Sequence, residues 1–510
     1  MHRHVHRVLG SVYAFKSEVD AWRTGARRLR ARPAGESGTP PVVGGLKSIV
    51  VLPFTNLSTD PENAYFADGL TDEVTADLSR LRALRVISRT SAMTFRDTTK
   101  DVRTIARELG VRYVVEGSVR RAAGRLRIGA QLIDADTDGH LWSDKYDGTA
   151  EDVFAFQERL ARMIVSALEL RLSADEDRRL GERPIANLHA YECYLRARQE
   201  AWRWRKDSID HAIQLLRNGL DLVGDNAGLQ AALGLAYLQY REAGIDLGEG
   251  PLQEAESCAR KVFALAPHSW SGLQLRGWIH YSRGEVQQAV RDLKASLEID
   301  PNSADSLLLL ANCYLISGKV PEGHPLIDRL RAVDPLTPVS RCMPAWADIL
   351  EGRFSAAAGA YRQMFDMDPG NPMARLFYGW VLALDGQPGP AGAILETFPA
   401  EVRDTVPARV AVFFAQALAG HAQNADAAVT PELEAAARAS DVFSRMFAEG
   451  YARAGMPGRA VYWLGVAVDR GFINHPFLSQ HDPFFAQCRR DSGFLRLMET
   501  VRHRWERFEA

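Results

Sequence analysis

The sequence predicts an α/β amino-terminal domain followed by an all-α superhelix of stacked helical hairpins. Short β-type runs alternate with amphipathic helical runs between residues 47 and 172, whereas β signals disappear from Asn187 onward. Prolines then recur at a constant interval of 34 residues, in the segments LAP, IDP, VDP and MDP that end at Pro267, Pro301, Pro335 and Pro369. A fixed period of this length indicates repeats that bury their hydrophobic faces against one another.

The 510 residues have the composition of a globular protein, with 46% hydrophobic and 25% charged residues. This composition excludes the disordered, collagen-like and disulfide-stapled classes. The five cysteines show no C-x-x-C spacing, which favours a reducing compartment and predicts a cytoplasmic protein. No run of about eighteen apolar residues occurs, so we expect no membrane-spanning helix.

The first 32 residues form a basic segment that differs from the rest of the chain. They carry a charge of +6, against −2 for the whole sequence, so the remainder carries −8. Residues 33–46, which begin PAGESGTPPVVGG, are rich in Pro, Gly and Ser and predict a linker. His2, His4 and His6 alternate with other residues, which predicts a solvated basic edge, with a divalent metal site as the alternative.

The predicted α/β domain begins with a buried strand, SIVVLPF (48–54), which is followed by a helix over 66–81. Asp68 or Thr71 is the expected N-cap of that helix. The strand-like segment LRVISR comes next. Strands and helices that alternate in this way are typical of a compact α/β unit.

The second half of this domain is predicted to be a meander of strands. A helix over 102–109, stopped by Gly110, precedes the strands RYVVEGSVRR and RLRIGAQLIDA, which flank a tight turn at Gly124. HLWSDKYD adds a third strand, and a helix over 152–172 closes the unit.

Two further positions of the 34-residue period carry small residues. The eighth is Gly277, Ala311, Ala345 and Gly379, and the twentieth is Ala289, Gly323, Ala357 and Ala391. Small side chains there let the two helices of a hairpin approach closely, and the terminal proline ends the second helix. Weaker repeats are predicted over 190–225, 404–440 and 447–472, and an amphipathic helix near 494–508 is expected to cap the stack.

A helix-turn-helix period of this length, with small residues at positions eight and twenty and proline at thirty-two, resembles the tetratricopeptide repeat. The segments VVLPFTNLSTDPENAYFADGLTDEV, LRVISRTS and IARELGVRYVVEGSVRRAAGRLRIGAQLIDADTDGHLWSDKYD resemble the TolB amino-terminal-like domain of bacterial regulators. The first resemblance implies a concave groove that binds a protein or peptide. The second implies a non-catalytic domain placed ahead of such repeats.

The basic segment resembles the end of a winged-helix domain of the excisionase or MerR type, through HRHVHRVLGSVYAFKSEVDAW. The recognition helix of that family would precede residue 1. The predicted organisation is a winged-helix remnant over 1–32, a linker over 33–46, the α/β domain over 47–172, the repeat array over 187–475 and capping helices over 476–510.

The ninth position of successive repeats offers the one candidate constellation, Trp278, Asn312, Trp346 and Trp380. In tetratricopeptide arrays this position points into the groove, so the resemblance implies a ladder of aromatic anchors for a partner. Packing between neighbouring repeats is the alternative. Position five reads Gln274, Leu308, Cys342 and Leu376, which departs from the Lys and Asn of carboxylate-clamp arrays and favours an apolar or mixed ligand.

No Ser-His-Asp set, zinc spacing or specific pair of carboxylates stands out, so the sequence predicts no enzyme activity, no cofactor and no small-molecule substrate. The first hypothesis is a non-enzymatic regulatory scaffold that binds a protein or peptide partner in the groove. The alternative is a transcriptional regulator in which Arg3, Arg7 and Lys16 contact DNA phosphates, which requires a winged helix completed by upstream sequence.

Overall fold

The computed structural model describes residues 46–58, 63–122, 125–149, 152–182, 185–201, 205–242 and 245–510. The basic segment 1–32, nearly all of the predicted linker and the turn predicted at Gly124 lie outside these residues.

A small mixed sheet forms the amino-terminal part of the fold. Its strands are β1 (Lys47–Val51), β2 (Thr55–Asn56), β3 (Leu84–Val86), β4 (Tyr113–Ala122), β5 (Arg125–Asp134) and β6 (Gly139–Thr149). Their spatial order is β3-β1-β4-β5-β6, and β2 pairs with β4. β1 runs parallel to β3 and β4, whereas β4, β5 and β6 are antiparallel to their neighbours. The predicted succession of an α/β unit and a strand meander is therefore confirmed.

The helices that accompany this sheet are α1 (Ala64–Ser79), α2 (Arg89–Met93), α3 (Val102–Leu109), α4 (Val153–Ala167) and α5 (Ala174–Leu180). Gly110 ends α3 in the left-handed conformation, with φ of 64°, as predicted. The predicted N-cap of α1 is wrong, because Asp68 and Thr71 lie inside the helix. The Oγ1 atom of Thr71 instead accepts a hydrogen bond from the Phe54 N–H at 3.0 Å, which ties α1 to the end of β1.

The described residues between 188 and 469 form eight helical hairpins. Their helices are α6 (Leu188–Ala201) with α7 (Lys206–Val223), α8 (Ala227–Glu242) with α9 (Glu249–Leu265), α10 (Trp270–Ser282) with α11 (Val286–Ile299), α12 (Ala304–Ile316) with α13 (Val320–Val333), α14 (Pro338–Leu350) with α15 (Phe354–Met367), α16 (Pro372–Leu384) with α17 (Pro388–Leu395), α18 (Val406–Leu418) with α19 (Ala422–Ala427), and α21 (Asp441–Arg453) with α22 (Pro457–Asp469). A further helix, α20 (Pro431–Arg438), lies between the seventh and the eighth hairpin in the chain. The last long helix is α23 (Ser492–Glu506).

The predicted small positions bring the two helices of a hairpin together. A Cβ atom on Gly277 would lie 2.8 Å from the Leu293 side chain, and one on Gly379 would lie 2.5 Å from Leu395. A larger residue at either position would force the helices apart. Helix α11 ends before Pro301, as the period predicts.

The α/β part packs on the turns that join successive hairpins. Asn302 closes the outer edge of β3, because its Oδ1 accepts from the Val86 N–H (3.3 Å) and its Nδ2 donates to the Leu84 carbonyl (3.0 Å). One repeat later, the Asp334 carboxylate accepts hydrogen bonds from the Ser91 hydroxyl (2.7 Å) and the Ser88 hydroxyl. A sheet edge that could pair with another chain is thus covered by the array.

The sheet, the first two hairpins and the first helix of the third hairpin share one hydrophobic core. A single buried cluster extends from Ile49 of β1 through Leu160 of α4 to Leu275 of α10. Leu195 of α6 packs so closely on α1 that a Cβ atom on Gly69 would lie 2.4 Å from it. The core therefore continues across the predicted boundary between residues 172 and 187.

The end of α22 and the residues after it pack on the turns inside three hairpins. These turns contain Gly284, Gly318 and Gly352, whose φ values are 79°, 72° and 79°. A Cβ atom on Gly284 would lie 2.4 Å from the Asp469 carbonyl oxygen. The Trp505 Nε1 donates to the Gly318 carbonyl at 3.1 Å, and the Asn474 Nδ2 donates to the Leu315 carbonyl at 2.8 Å. The tail therefore covers the last hairpin and also crosses back to the centre of the array.

Candidate functional site

The four position-nine residues lie on the first helices of successive hairpins, but they differ in accessibility. Trp278, Asn312 and Trp346 are partly buried. Trp380 is 1% exposed and belongs to the core. The predicted ladder is therefore accessible at one end and closed at the other.

Hydrogen bonds connect the ladder across three hairpins. The Trp346 Nε1 donates to the Asn312 Oδ1 at 3.1 Å, and the Asn312 Nδ2 donates to the Tyr281 hydroxyl at 3.2 Å. The rings of Trp346 and Trp380 are 6.0 Å apart at an angle of 55°. Contacts between these side chains thus run through the array in the order that the 34-residue period predicts.

Helix α21 fills the inside of the superhelix opposite the ladder. Asp441, Arg445 and Glu449 are spaced by four residues and share one face of this helix. The Arg445 guanidinium lies 4.5 Å from the Trp380 ring centroid and 5.4 Å from that of Trp346. We call the cluster of Trp346, Trp380, Arg445 and Glu449 the filled patch.

Two carboxylates, those of Glu449 and Asp482, lie near the single guanidinium of the filled patch, which belongs to Arg445. The Trp380 Nε1 donates to the Glu449 carboxylate, and Arg445 also donates to it, each at 2.5 Å. Burial raises the pKa of Glu449, although the Arg445 charge opposes the shift. Burial raises the pKa of Asp482 well above its ordinary value, and the nearby Glu449 charge adds to this. The two carboxylates therefore lie close together in the core, where burial disfavours the charged form of both.

Trp380 does not line an open groove, which corrects its predicted role as a binding residue. The packing alternative holds for Trp380, but its partner Glu449 lies 69 residues further along the chain rather than in the neighbouring repeat. The period along the sequence could not reveal this contact, because it arises from the curvature of the superhelix. The spacing of Asp441, Arg445 and Glu449 was the signal available in the sequence.

The accessible end of the ladder carries a second group of residues, Glu242, Trp278 and Asp305, which we call the open patch. Glu242 ends α8 and Asp305 lies in the first turn of α12, and both side chains are exposed. Loss of hydration raises the pKa of Glu242 to about 8, and the charge of Asp305 contributes. Loss of hydration also raises the pKa of Asp305. The ring of Trp278 contacts that of Tyr281 edge-on, with ring centroids 6.1 Å apart.

Neither carboxylate of the open patch forms an ion pair among the described residues. The guanidinium of Arg198 lowers the pKa of Asp305, but it lies 3.7 Å from Glu73 and 3.8 Å from Asp72 of α1. Its charge is therefore shared among several acids.

An ionic network joins α1 to the first hairpin, and the sequence analysis did not predict it. Asp72 is ion-paired with Arg89, and Asp68 is ion-paired with Arg96. Burial raises the pKa of Glu73 to about 7. Helix α6 covers these acids, since its Arg198 lies 3.7 Å from Glu73 and the Nε2 of its Gln199 donates to Asp68 at 3.2 Å.

The remaining predicted site residues, Arg3, Arg7 and Lys16, lie outside the described residues, so their contacts with DNA stay a prediction. In the part of the chain that the structure describes, three or more potential metal ligands do not come together. The same part contains no helix that is both long and apolar enough to cross a membrane. All five cysteines are unpaired.

Two family models match parts of the chain. Residues 45–163 match the HilA/YgeH-like transcriptional regulator, second domain. Residues 280–340 and 348–411 match the tetratricopeptide repeat. The array therefore contains tetratricopeptide repeats, as the 34-residue period predicts.

The chain is also similar to individual proteins. It is 43% identical over 211 residues to a putative adenylate cyclase 3 of Rhizobium meliloti (strain 1021), which covers 41% of this chain and 36% of that protein. The chain thus spans about a third of the length of the relative it matches. A Rap protein complexed with competence and sporulation factor is 13% identical, with a TM-score of 0.46 over 62% of this chain and 99% of that chain. TolB from Acinetobacter baumannii is 20% identical, with a TM-score of 0.19 over 26% of this chain and 30% of that chain.

Proposed function

We propose that the chain is a cytoplasmic regulatory scaffold without a catalytic site, and that its array binds a protein or peptide partner at the open patch. The observation that carries the proposal is that Trp278 stays partly accessible, whereas Trp380, at the same position three repeats later, is covered by α21. Aromatic side chains that stay accessible are typical anchors of a partner. The tetratricopeptide match supports this role of the array.

The α/β part, in this proposal, passes the effect of partner binding to an output domain. Its match to the second domain of HilA/YgeH-like transcriptional regulators supports a regulatory role. The TolB-like assignment over residues 47–172 is part of the same proposal. Asn302 and Asp334 hold the sheet against the inter-hairpin turns, so a movement of the array reaches β3 and α2 directly.

Affinity capture with the full chain tests the binding role of the array. Trp278→Ala removes the aromatic anchor of the open patch, while Tyr462→Ala removes an aromatic ring that is 45% exposed on α22 and serves as the matched control. We expect a specific protein from the lysate of the source organism to be captured by the wild type and the control and to be lost with Trp278→Ala. Equal capture by the two variants, with unchanged circular dichroism, would contradict the proposal.

A second candidate function is transcriptional regulation, which the HilA/YgeH-like match favours. It requires the winged-helix remnant over 1–32 to be completed, with Arg3, Arg7 and Lys16 on DNA phosphates. The in-frame codons before Met1 are the first test, because they either encode a helix-turn-helix or do not. Where they do, fluorescence anisotropy with the longer chain should show DNA binding that weakens steeply with salt.

The relative named as a putative adenylate cyclase calls for a separate test of the non-enzymatic assignment. The chain spans 36% of that protein, and we assign any cyclase activity to the part outside the match. The full chain incubated with ATP and Mn²⁺ should therefore form no cyclic AMP above a blank without protein. Formation of cyclic AMP that scales with protein concentration would contradict the assignment.

A further inference from the structure

Strand β6 lies at the open edge of the amino-terminal sheet. Its 11 residues pair with β5 on one side, and among the described residues no strand pairs with its other side. The opposite edge of the sheet, at β3, is closed by Asn302. A long unpaired edge can accept a further strand through its backbone groups, so β6 is a candidate surface for pairing with another chain.

Two side-chain contacts show which backbone groups of β6 point away from β5. The Lys145 N–H donates to the Asp144 carboxylate at 2.8 Å, and the Thr149 N–H donates to the Asp152 carboxylate at 2.9 Å. Alternate residues of a strand direct their N–H and carbonyl groups to the same side. The backbone groups of Lys145, Asp147 and Thr149 therefore face the open edge.

The two faces of β6 have different surroundings. On one face the Tyr146 ring packs on Phe156 of α4, with ring centroids 5.7 Å apart. On the other face the side chains of Lys145 and Asp147 are exposed. The Asp147 carboxylate accepts from Arg127 of β5 at 2.6 Å and is still 50% exposed. Since a carboxylate has acceptor sites for more than one cation, Asp147 can also receive a lysine.

Charge favours one register for a second copy of β6. In an antiparallel pair with its two-fold axis at Tyr146, Lys145 of each copy lies opposite Asp147 of the other, which gives two attractive pairs on the exposed face. Each of these pairs can also exchange two backbone hydrogen bonds, because both residues face the open edge. An axis at Lys145 would set two lysines opposite each other, and an axis at Asp147 would set two aspartates opposite each other.

The face covered by α4 fits the same register. Gly148, which has no side chain, lies opposite Asp144, so the carboxylate of Asp144 meets no obstacle there. Pairing gives the Lys145 N–H a backbone carbonyl acceptor in place of the Asp144 carboxylate, and that carboxylate keeps its ion pair with Arg159 of α4. The strand is thus complementary to itself on both faces.

We propose that the chain forms a homodimer in which two β6 strands pair antiparallel about Tyr146 and join two sheets into one. The continuous sheet then runs from β3 of one protomer to β3 of the other, and Asn302 closes both of its ends. This inference does not depend on the proposed partner-binding function of the array.

Light scattering coupled to size-exclusion chromatography of the full chain tests the dimer. We expect the wild type to have the mass of two chains, against 56.6 kDa for one. Lys145→Asp sets two aspartates opposite each other twice, so it should weaken dimerisation at least about tenfold, as measured by analytical ultracentrifugation. Lys206→Asp makes the same change on an exposed side chain of α7 and should leave the dimer unchanged. Circular dichroism checks that both variants fold.

An exchange of charges tests the register. Asp147→Lys should weaken the dimer as Lys145→Asp does, because it sets lysines opposite each other. A mixture of these two single variants should recover the dimer as a heterodimer, since each strand then supplies the charge that the other lacks. The double variant Lys145→Asp/Asp147→Lys should recover it as a homodimer.

Three results would overturn the proposal. The first is a single-chain mass of the wild type at every concentration, as expected where another segment or a different protein occupies the edge of β6. The second is a dimer that Lys145→Asp weakens no more than Lys206→Asp does, because the interface would then lie elsewhere. The third is a failure of both the mixture and the double variant to recover the dimer, because the strands would then pair in another register.

Discussion

The filled patch and the open patch each contain a tryptophan at position nine of the 34-residue repeat, yet the two tryptophans differ in burial. Trp278 and Trp380 are three periods apart in the sequence and both occupy position nine. Trp380 is buried against Arg445 and Glu449 of α21, whereas Trp278 stays partly accessible and its ring contacts Tyr281. The difference shows that the repeat determines the direction of a side chain, while the curvature of the whole array determines which residues lie opposite that side chain.

The largest expected difference between the patches is in stability. Trp380→Ala should lower the free energy of unfolding by about 4 kcal/mol, because it opens a cavity in the core and removes a donor from Glu449. Trp278→Ala should cost less, about 2 kcal/mol, since its ring is only partly buried against the core. Urea denaturation followed by circular dichroism measures both. Similar losses of unfolding free energy for the two variants would contradict the difference in burial between Trp380 and Trp278.

The next effect concerns the buried charge of the filled patch. Arg445→Met should destabilise the protein by about 3 kcal/mol, because it leaves Glu449 charged and unpaired in the core. Adding Glu449→Gln should recover much of this loss, since the glutamine carries no charge. A double-mutant cycle from thermal unfolding gives the coupling energy. Additive effects of the two substitutions would show that the pair does not act as a unit.

The two patches should also differ in how stability depends on pH. Because the pKa of Asp482 is raised in the fold, its contribution is complete below the pKa of the unfolded chain and is lost as the pH rises toward the folded value. The loss amounts to at most about 1.4 kcal/mol per pH unit for one proton. Asp482→Asn should therefore be less pH-dependent than the wild type as the pH rises above about 4, the ordinary pKa of an aspartate. Asp366→Asn, at an exposed position of α15, should keep the wild-type slope.

The smallest effect is expected from Glu242→Gln in the open patch. The pKa of Glu242 is raised to about 8 by loss of hydration, so the charged form is disfavoured in the fold. The glutamine should match the wild type at pH 6 and stabilise the protein slightly at pH 9, by less than about 1 kcal/mol because solvent screens the exposed side chain. Thermal midpoints at the two pH values test this. A destabilised variant at pH 9 would indicate that a cation of the chain pairs with Glu242.

Much of the fold could be predicted from local signals. The prolines at 34-residue intervals and the small residues such as Gly277 report contacts within a hairpin, which lie close together in the sequence. The strand meander was visible for the same reason, because β4 and β5 are adjacent along the chain and pair along their whole length.

The contacts that decide the candidate site lie far apart in the sequence. Asn302 closes the edge of β3, which is 216 residues away, and Glu449 accepts from Trp380 across 69 residues. Neither residue of such a pair indicates its partner in the sequence, because each residue alone is compatible with an exposed turn or a helix surface. The assignment of Trp380 to an open groove was wrong for this reason.

Two sets of contacts hold the array, and their positions limit how the number of repeats can change in evolution. The α/β part holds the turns at Asn302 and Asp334, and the tail holds the turns at Gly284, Gly318 and Gly352, so the same hairpins are fixed at both ends of their helices. Open solenoids gain and lose whole repeats, since each repeat contacts only its neighbours. Here a duplicated 34-residue unit would displace one set of contacts from the other. The number of hairpins is therefore fixed by geometry, and related chains are expected to diversify through surface residues and attached domains instead.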